Sequence, residues 1–527
     1  MKRLFTVLFL FFMLPVISAG ASTPKNFLVM GFKIDDLMSL DPAEIFEFTG
    51  AEYAANTYSR LINYNVDRVS EIYGGIAEKW EVSSDGMTYT FHIRKDVKFP
   101  SGKNLTADDV VYSLVRMVKL NLSPAFIIRQ FGFTAENVDK LITKVDDYTM
   151  EFTVDKPYAP TLVLYCLTAT PASIVDSKLV QSHEVNNDFG HTWLKNNYAG
   201  CGPYMLKKWK PSESLSLLAN PNYYGHKPSL KRVIIKHLAE SAQQRMMLEK
   251  GDIDIARNLQ PEDIKAVRNN PDIDIMDHAK GNIYYMGLNQ KNSYLAIPEV
   301  REAIKYLVDY KGMETTFLSG LATSHQSFIP NGFLGASGEL PYSLNVKKAK
   351  ELLKSVDLEN GFPLTIDTRN NEPSTSMALS MQDTFAKAKI KLEIIPGDGK
   401  QTLTRYRARK HDIYLGVWGP DYMDPHTNAD TFSRNPDNSD NAKSKTLAWR
   451  NSWDIPELTE KANAALMEKD SKKRVEMYME LQREHQKISP FVPMFQKIEV
   501  VGLRKNVHGF ILGPTFDSNF YNETTKD

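Results

Sequence analysis

Cysteine is nearly absent from this chain, since only Cys166 and Cys201 occur in 527 residues. A supply this small excludes a compact scaffold held together by several disulfides. For the pair itself the sequence leaves two alternatives open, one disulfide or two buried free thiols, because the spacing does not fix the distance between them.

Net charge is absent too. Lys and Arg together number 64, Asp and Glu together number 64, and the formal charge is zero. Proteins that gather on nucleic acid or on anionic lipid need a basic field. We therefore expect no nucleic-acid partner, and the bulk charge points to no other partner.

The motifs of common catalytic and cofactor sites are also missing. Gly397-Asp398-Gly399-Lys400-Gln401 lacks the spacing and the final hydroxyl of a phosphate-binding loop. No Gly-x-Ser-x-Gly or His-Glu-x-x-His occurs, and the eleven histidines show no metal-ligand spacing. We expect no enzyme activity, no cofactor and no metal site. One alternative stays open: Asp421 and Asp424 could be the paired carboxylates of a secreted hydrolase.

Long apolar runs are confined to the N-terminus. Lys2 and Arg3 precede an apolar stretch from Leu4 to Ile17, and small residues follow it. The stretch is shorter than the roughly 20 residues that cross a bilayer, and the pattern is typical of a secretory signal peptide. We predict a signal peptide over 1–21, cleaved after Ala21, and export to the periplasm. Neither cysteine lies beside that site, so no lipid-modified N-terminus is expected.

What the chain does contain is enough apolar material for several packed domains. Hydrophobic residues make up 42% and aromatic residues 11%, and domains typically take about 100–200 residues each. Asp85-Gly86, between Val82 and the alternating run that ends at Ile93, predicts a hairpin. Thr106 with Asp109 three residues later predicts a capped helix.

The remaining pattern predicts a mixed α/β protein. A pair of strands is predicted at 143–154, with its turn at Asp146-Asp147, and single strands are predicted at 215–219 and 232–237. Helices are predicted at 241–250, 298–308, 346–356 and 374–388, and a long one at 455–488 with a weak point near Asp470.

One segment carries a family resemblance. The run Gly75–Phe99, followed by Leu105–Ser113, resembles the signature of the extracellular solute-binding proteins that include the dipeptide and oligopeptide receptors of ABC importers. Supporting motifs follow in the family's usual order: Ser39–Pro42, Gly200–Tyr204, Gly251–Asp254, Val300–Ile304 with Asp309, and Trp418–Pro425. Cys201 departs from the pattern, since the family commonly has Thr there.

The resemblance implies a two-lobed periplasmic binding protein fold with a hinge and an additional small domain. Carried onto this sequence, the discontinuous first lobe takes 22–57, 178–276 and 500–527. The additional domain takes 58–177 and the second lobe takes 277–499.

The resemblance also implies ligand-binding residues. Asp421 matches the aspartate that holds the ligand's α-ammonium in the peptide receptors, with Trp418 three residues before it and Tyr422 as an aromatic wall. Arg369 corresponds to an arginine that can bind the ligand's carboxylate, which suits the fork geometry of a guanidinium. Cys201 and Gly202 complete the expected ligand-binding set. An Asp-Pro turn explains Asp424 without a ligand.

The function implied is that of a monomeric receptor that captures short peptides or peptide-like solutes and delivers them to the permease subunits of an ABC importer in the inner membrane. The alternatives are a receptor of the same fold for an oligosaccharide, opine, metal chelate or haem, a secreted hydrolase, and a periplasmic chaperone.

Overall fold

The computed structural model describes residues 23–442 and 444–527. The predicted signal peptide therefore lies outside the described residues.

One large mixed sheet organises the molecule. Its strand order, from one edge to the other, is Lys391–Gly397, Pro363–Arg369, Ile413–Trp418, Ile273–Leu288, Phe491–Arg504, Ile255–Ala256, Phe27–Phe32, Arg232–His237, Ser214–Ala219 and Tyr204–Lys210, with Ala322–Ser324 added beside Phe491–Arg504. The strands predicted at 215–219 and 232–237 are confirmed.

Two long strands in the middle of this sheet link its two sides. Ile273–Leu288 and Phe491–Arg504 pair antiparallel from Ile273↔Arg504 to Gly287↔Phe491, with register shifts around 279–285. At one end the strand Phe491–Arg504 also pairs with Ile255–Ala256, and Ile273–Leu288 pairs at its other end with Ile413–Trp418. These strands are the continuous connection on which the candidate site lies.

A separate four-stranded antiparallel sheet contains the predicted hairpin. Its strands are Ala77–Val82, Thr88–Ile93, Thr149–Thr153 and Ile142–Asp146, in that order. Val82 pairs with Tyr89 across the Asp85-Gly86 turn, as predicted. The helix Ala107–Leu120 begins after Thr106, whose N–H donates to Asp109 Oδ2 at 3.0 Å, so the predicted cap is confirmed as well. Short two-stranded ribbons complete the strands: Ile62–Tyr64 with Ile72–Gly74, and Val507–His508 with Thr525–Lys526.

Helices cover the sheets. They are Phe48–Thr57, Ala107–Leu120, Phe126–Arg129, Val138–Leu141, Pro160–Leu167, Ser177–Gln181, His191–Leu194, Ser241–Lys250, Pro261–Val267, Pro298–Tyr306, Tyr310–Thr315, Val346–Lys354, Ser374–Lys387, Gly399–Arg407, His426–Ser433, Leu447–Arg450, Pro456–Met467 and Ser471–Ile488. Short 3₁₀ turns occur at Ser123–Ala125, Thr170–Ala172 and Phe516–Ser518.

The prediction of one long helix at 455–488 is wrong in one respect, because the structure has two helices there, Pro456–Met467 and Ser471–Ile488. Asp470 accepts hydrogen bonds from the N–H groups of Lys472 at 2.9 Å and Lys473 at 3.0 Å, and so caps a new helix. A capping aspartate favours the start of a helix over its interior. The weak point in the pattern is therefore a helix start.

The described residues form five hydrophobic cores, of which three are the largest. One lies within the four-stranded sheet and the helices that follow it, and it contains Phe91, Phe131 and Phe152. A second, with Met286 and Phe385, packs behind the strands between 284 and 495. The third, with Leu28 and Val233, gathers residues from three separated parts of the chain.

In the part of the chain that the structure describes, no single helix is long and apolar enough to cross a membrane; the bent pair Ala107–Leu120 and Ser123–Arg129 meets the length and composition criteria together.

Candidate functional site

Two adjoining cavities lie over the middle of the large sheet. The larger, of about 530 Å³, lies beside the two long strands and is lined by residues such as Arg369, Lys497 and Glu499. The smaller, of about 260 Å³, is lined by residues that include Trp418, Asp421 and Tyr422. We call them the large and the small chamber. They have four lining residues in common: Phe48, Asn282, Gly419 and Phe516. The two chambers are therefore adjoining parts of one cleft.

Asp421 reaches the small chamber because its strand ends just before it. The strand Ile413–Trp418 is followed by Gly419-Pro420, and the N–H of Asp421 donates to Thr427 Oγ1 at 3.1 Å. Its carboxyl group is half-buried, and among the described residues no Lys, Arg or His nitrogen lies within 4 Å of it. Burial raises the pKa of Asp421 to about 7, with a further increase from the charge of Asp430. The structure thus holds a carboxylate that lacks a cation.

The walls around Asp421 are largely apolar. Phe48 and Phe516 stack with ring centroids 4.4 Å apart. Trp418 donates its Nε1–H to Asn428 Oδ1 at 3.4 Å, and Tyr422 is buried. An apolar wall strengthens the attraction between Asp421 and a bound cation, because little water is left to screen it.

Two other carboxyl groups line the small chamber. Asp517 already pairs with Arg60 Nη1 at 3.1 Å, and Glu47 is half-buried. The chamber as a whole is therefore acidic and apolar, a combination that suits a ligand with an ammonium group on a hydrocarbon frame.

Arg369 lies at the end of strand Pro363–Arg369 and lines the large chamber. Its side chain is exposed, and no carboxylate of the described residues lies within 4 Å of its guanidinium. Asp421 and Arg369 therefore belong to the same cleft but to different chambers, with opposite charges toward its two parts.

Cys201 and Gly202 lie elsewhere. Cys201 is fully buried in the core beside the four-stranded sheet, and the N–H of Gly202 donates to the carbonyl of Thr57 at 2.9 Å. A Cβ on Gly202 would come within 2.5 Å of the Thr57 backbone. Neither residue lines either chamber. The close contact with Thr57 accounts for the glycine by packing.

Both cysteines are free thiols in the structure. Burial raises the pKa of the Cys201 thiol to about 12 and also raises the pKa of Cys166. Of the two alternatives left open by the sequence, the structure has the pair of buried thiols.

Asp424 forms a buried ion pair. Its two oxygens accept from Arg474 Nη1 at 2.6 Å and Nη2 at 2.7 Å, and Asp424 Oδ1 also accepts from the N–H of His426 at 2.9 Å. Because its oxygens are already occupied, Asp424 braces the loop that carries Asp421. This arrangement gives no support to Asp421 and Asp424 as the two working carboxylates of a hydrolase.

Sequence reasoning missed the floor of the large chamber. There Arg257 donates to Glu52 Oε1 at 2.6 Å and Oε2 at 3.0 Å and also pairs with Glu499, while Lys280 Nζ lies 2.9 Å from Glu499 Oε2. Lys497 lines the same floor. The only available signal was the period-2 spacing of Lys497 and Glu499 in a strand-like run, which puts both on one face. Among the described residues, no group of three or more His, Cys, Asp or Glu side chains could hold a metal ion.

The fold and this cleft define a class: a solute-binding protein with a periplasmic binding protein fold, in which long paired strands link the two sides of the cleft. The chain belongs to the bacterial extracellular solute-binding proteins, family 5, whose model matches residues 71–440. The resemblance in the sequence and the expected fold class are thereby confirmed.

Relatives and solved structures agree with that family. The probable D,D-dipeptide-binding periplasmic protein of Escherichia coli is 30% identical over 95% of this chain and 94% of its own length. The dipeptide-binding protein of the same organism is 27% identical, with 90% of each chain covered. A periplasmic binding protein from Helicobacter pylori, solved in complex with the peptide STSA, has a TM-score of 0.79 and 25% identity, with 95% of this chain and 98% of that one covered.

Proposed function

We propose that this protein is the periplasmic receptor of an ABC importer, which captures short peptides or peptide-like solutes between two lobes and delivers them to permease subunits in the inner membrane. In this proposal the signal peptide is cleaved near Ala21 and the mature protein acts as a monomer. The lobes follow the expected bounds, 22–57, 178–276 and 500–527 for the first and 277–499 for the second, with 58–177 as the additional domain. The three separate cores support this division.

The observation that carries the proposal is the half-buried carboxylate of Asp421 in an acidic, apolar chamber without a cation of its own. Burying a carboxylate is costly unless a cation pairs with it. A peptide's α-ammonium supplies that cation, and the free guanidinium of Arg369 in the adjoining chamber is available for a carboxylate. The names of the relatives, two of them dipeptide-binding proteins, support the same ligand class.

Titration calorimetry with a panel of ligands tests this function. We expect heat from di-, tri- or tetraalanine, including D-dialanine because of the relative named for D,D-dipeptides, and recovery of the intact peptide after long incubation. Binding of an oligosaccharide, opine, metal chelate or haem with no binding of any peptide would instead assign another solute. Hydrolysis of the peptide would support the secreted hydrolase.

Peptide affinity is expected to depend on pH through Asp421. Its pKa in the free protein is about 7, so a proton competes with the ligand's ammonium below that pH. From pH 7.5 to pH 5.5 the ionised fraction falls by about 25-fold, and the affinity should fall by a similar factor. Above about pH 8 the affinity should fall again, because free α-amino groups lose their proton near 7.7–8.0.

Calorimetry at pH 6.5 in two buffers of different ionisation enthalpy checks the same point, since binding should release a proton from Asp421. A peptide affinity that stays constant between pH 5.5 and 7.5 would contradict the ammonium role.

A further inference from the structure

Lys497 is a cation without a matching anion on the floor of the cleft. It lies on the long strand Phe491–Arg504, lines the large chamber and is half-buried. Among the residues that the structure describes, no carboxylate lies within 4 Å of its ammonium group and no hydrogen-bond acceptor contacts it. Its Nζ is 6.0 Å from the ring centroid of Phe516, a residue that lines both chambers. Lys497 therefore lies near the place where the chambers meet.

The carboxylates closest to Lys497 are already occupied. Glu499, on the same face of the strand, pairs with both Arg257 and Lys280. Glu52 pairs with Arg257 and also accepts from the hydroxyl of Tyr521. This buried group thus contains three cations and two carboxylates, which leaves one positive charge in excess at the end that faces the cleft.

Burial lowers the pKa of Lys497, and the nearby charge of Arg257 lowers it further, while Glu499 raises it. A ligand carboxylate bound in the large chamber would offset the cost of burying the Lys497 ammonium, because a buried ion pair costs much less free energy than a single buried charge. The immediate surroundings of Lys497 are therefore complementary to an anion, while Asp35, Asp36 and Glu372 line other parts of the same chamber.

One strand separates the strand that precedes Asp421 from the strand that contains Lys497. Trp418, at the end of the strand before Asp421, pairs with Ile283, and Ile283 pairs with Gln496, the residue before Lys497. Two strand spacings of about 4.8 Å separate the outer two strands, or about 10 Å at the backbone. Asp421 and Lys497 therefore lie over neighbouring parts of the same cleft.

We propose that Lys497 binds the C-terminal carboxylate of a dipeptide whose α-ammonium is held by Asp421. The inference rests on the proposed function and extends it by assigning the carboxylate anchor. Arg369 lies three strands from the strand of Lys497 and is exposed. Water screens its charge, so we expect it to contribute less than the half-buried Lys497.

The test compares Lys497→Met, which removes the charge at similar size, with Lys497→Arg, which keeps it. Lys387→Met is the matched control, because Lys387 is an exposed lysine paired with Asp383 on a helix. Calorimetry uses L- and D-dialanine, their C-terminal amides and trialanine. We expect the better-bound dialanine to bind Lys497→Met at least tenfold more weakly, while Lys497→Arg stays within about threefold and Lys387→Met is unchanged. We expect the parent to bind dialanine more tightly than its C-terminal amide. Of the three variants, only Lys497→Met should lose this preference.

The outcomes separate this inference from the function on which it rests. If the parent binds none of these peptides, the proposed function fails and the inference fails with it. If the parent binds a dialanine and Lys497→Met binds it equally well, with the acid still preferred over the amide, only the role of Lys497 is overturned. If Lys497→Met does not fold, the parent and Lys497→Arg provide the test. A preference of the parent for the acid over the amide of at least tenfold, together with retained binding by Lys497→Arg, supports a cationic anchor. Equal binding of the acid and the amide by the parent overturns the role of Lys497.

Discussion

Replacing Asp421 with Asn is expected to weaken peptide binding by at least about 100-fold, the largest loss that any single substitution in the cleft should cause. Removing one member of a desolvated charge pair typically costs about 2–5 kcal/mol, and here the ligand's ammonium would face a neutral amide in an apolar chamber. Calorimetry with whichever alanine peptide binds the parent measures the loss. The variant keeps the size of the side chain, so a change in shape does not explain the effect.

The same variant should be more stable than the parent when no ligand is present. In the folded protein the pKa of Asp421 is raised to about 7, against about 3.9 for an unfolded aspartate. Because the folded state holds this proton more tightly, the group lowers stability progressively as the pH rises from about 4 to 7. Asp421→Asn should therefore raise the Tm at pH 8 by about 1–3 °C and leave it unchanged at pH 4. Unchanged peptide affinity together with an unchanged Tm would show that Asp421 has no such role.

Replacing Arg474 with Met is expected to destabilise the protein by about 3–5 kcal/mol, the usual cost of leaving one member of a buried ion pair alone. Asp424 is completely buried, and both its oxygens depend on Arg474. Arg474 also donates to the carbonyl of Ala465 at 2.9 Å and to Thr161 Oγ1 at 3.0 Å, so its removal leaves further groups unsatisfied. The shift of the urea midpoint, with the slope of the transition unchanged, measures the effect.

A double variant, Arg474→Met with Asp424→Leu, serves as the control. It removes the stranded carboxylate, and it should recover part of the lost stability because an apolar pair can replace a buried ion pair. If Arg474→Met alone lowered the unfolding free energy by less than about 1 kcal/mol, the ion pair would not be bracing the loop. Such a result would also remove the reason to regard Asp424 as structural.

Local signals in the sequence predicted local structure well. The Asp85-Gly86 turn, the Thr106 and Asp109 cap and the helix that stops at Gly251 all form as predicted, because each depends on residues within one or two turns of the chain. Asp470 obeys the same rule, because the weak point in the helical pattern is the cap at which the helix Ser471–Ile488 begins. Local sequence patterns predict a turn or a helix end correctly where the contacts that stabilise it are between residues close in sequence.

The residues of the candidate site differ in the same way: some were predictable from a local motif and others depend on contacts between distant segments. A motif that is continuous in sequence, from Trp418 to Tyr422, led directly to the small chamber. Cys201 and Gly202 also lie in a recognisable motif, yet they pack in a core away from both chambers, and only the fold shows that. The floor of the large chamber joins Glu52, Arg257, Lys280 and Glu499, residues separated by up to several hundred positions.

By itself the sequence determined the mixed α/β class and the family likeness, and that likeness led to the expectation that Asp421 holds an ammonium group. It did so because these depend on composition, on periodicity and on a contiguous motif. Only the tertiary structure decided that Asp421 lacks a cation, that Asp424 already has one, and that Lys497 faces the cleft beside carboxylates already paired. Charge pairing between distant segments is a property of distances in space, and those distances exist only once the long strands bring the segments together.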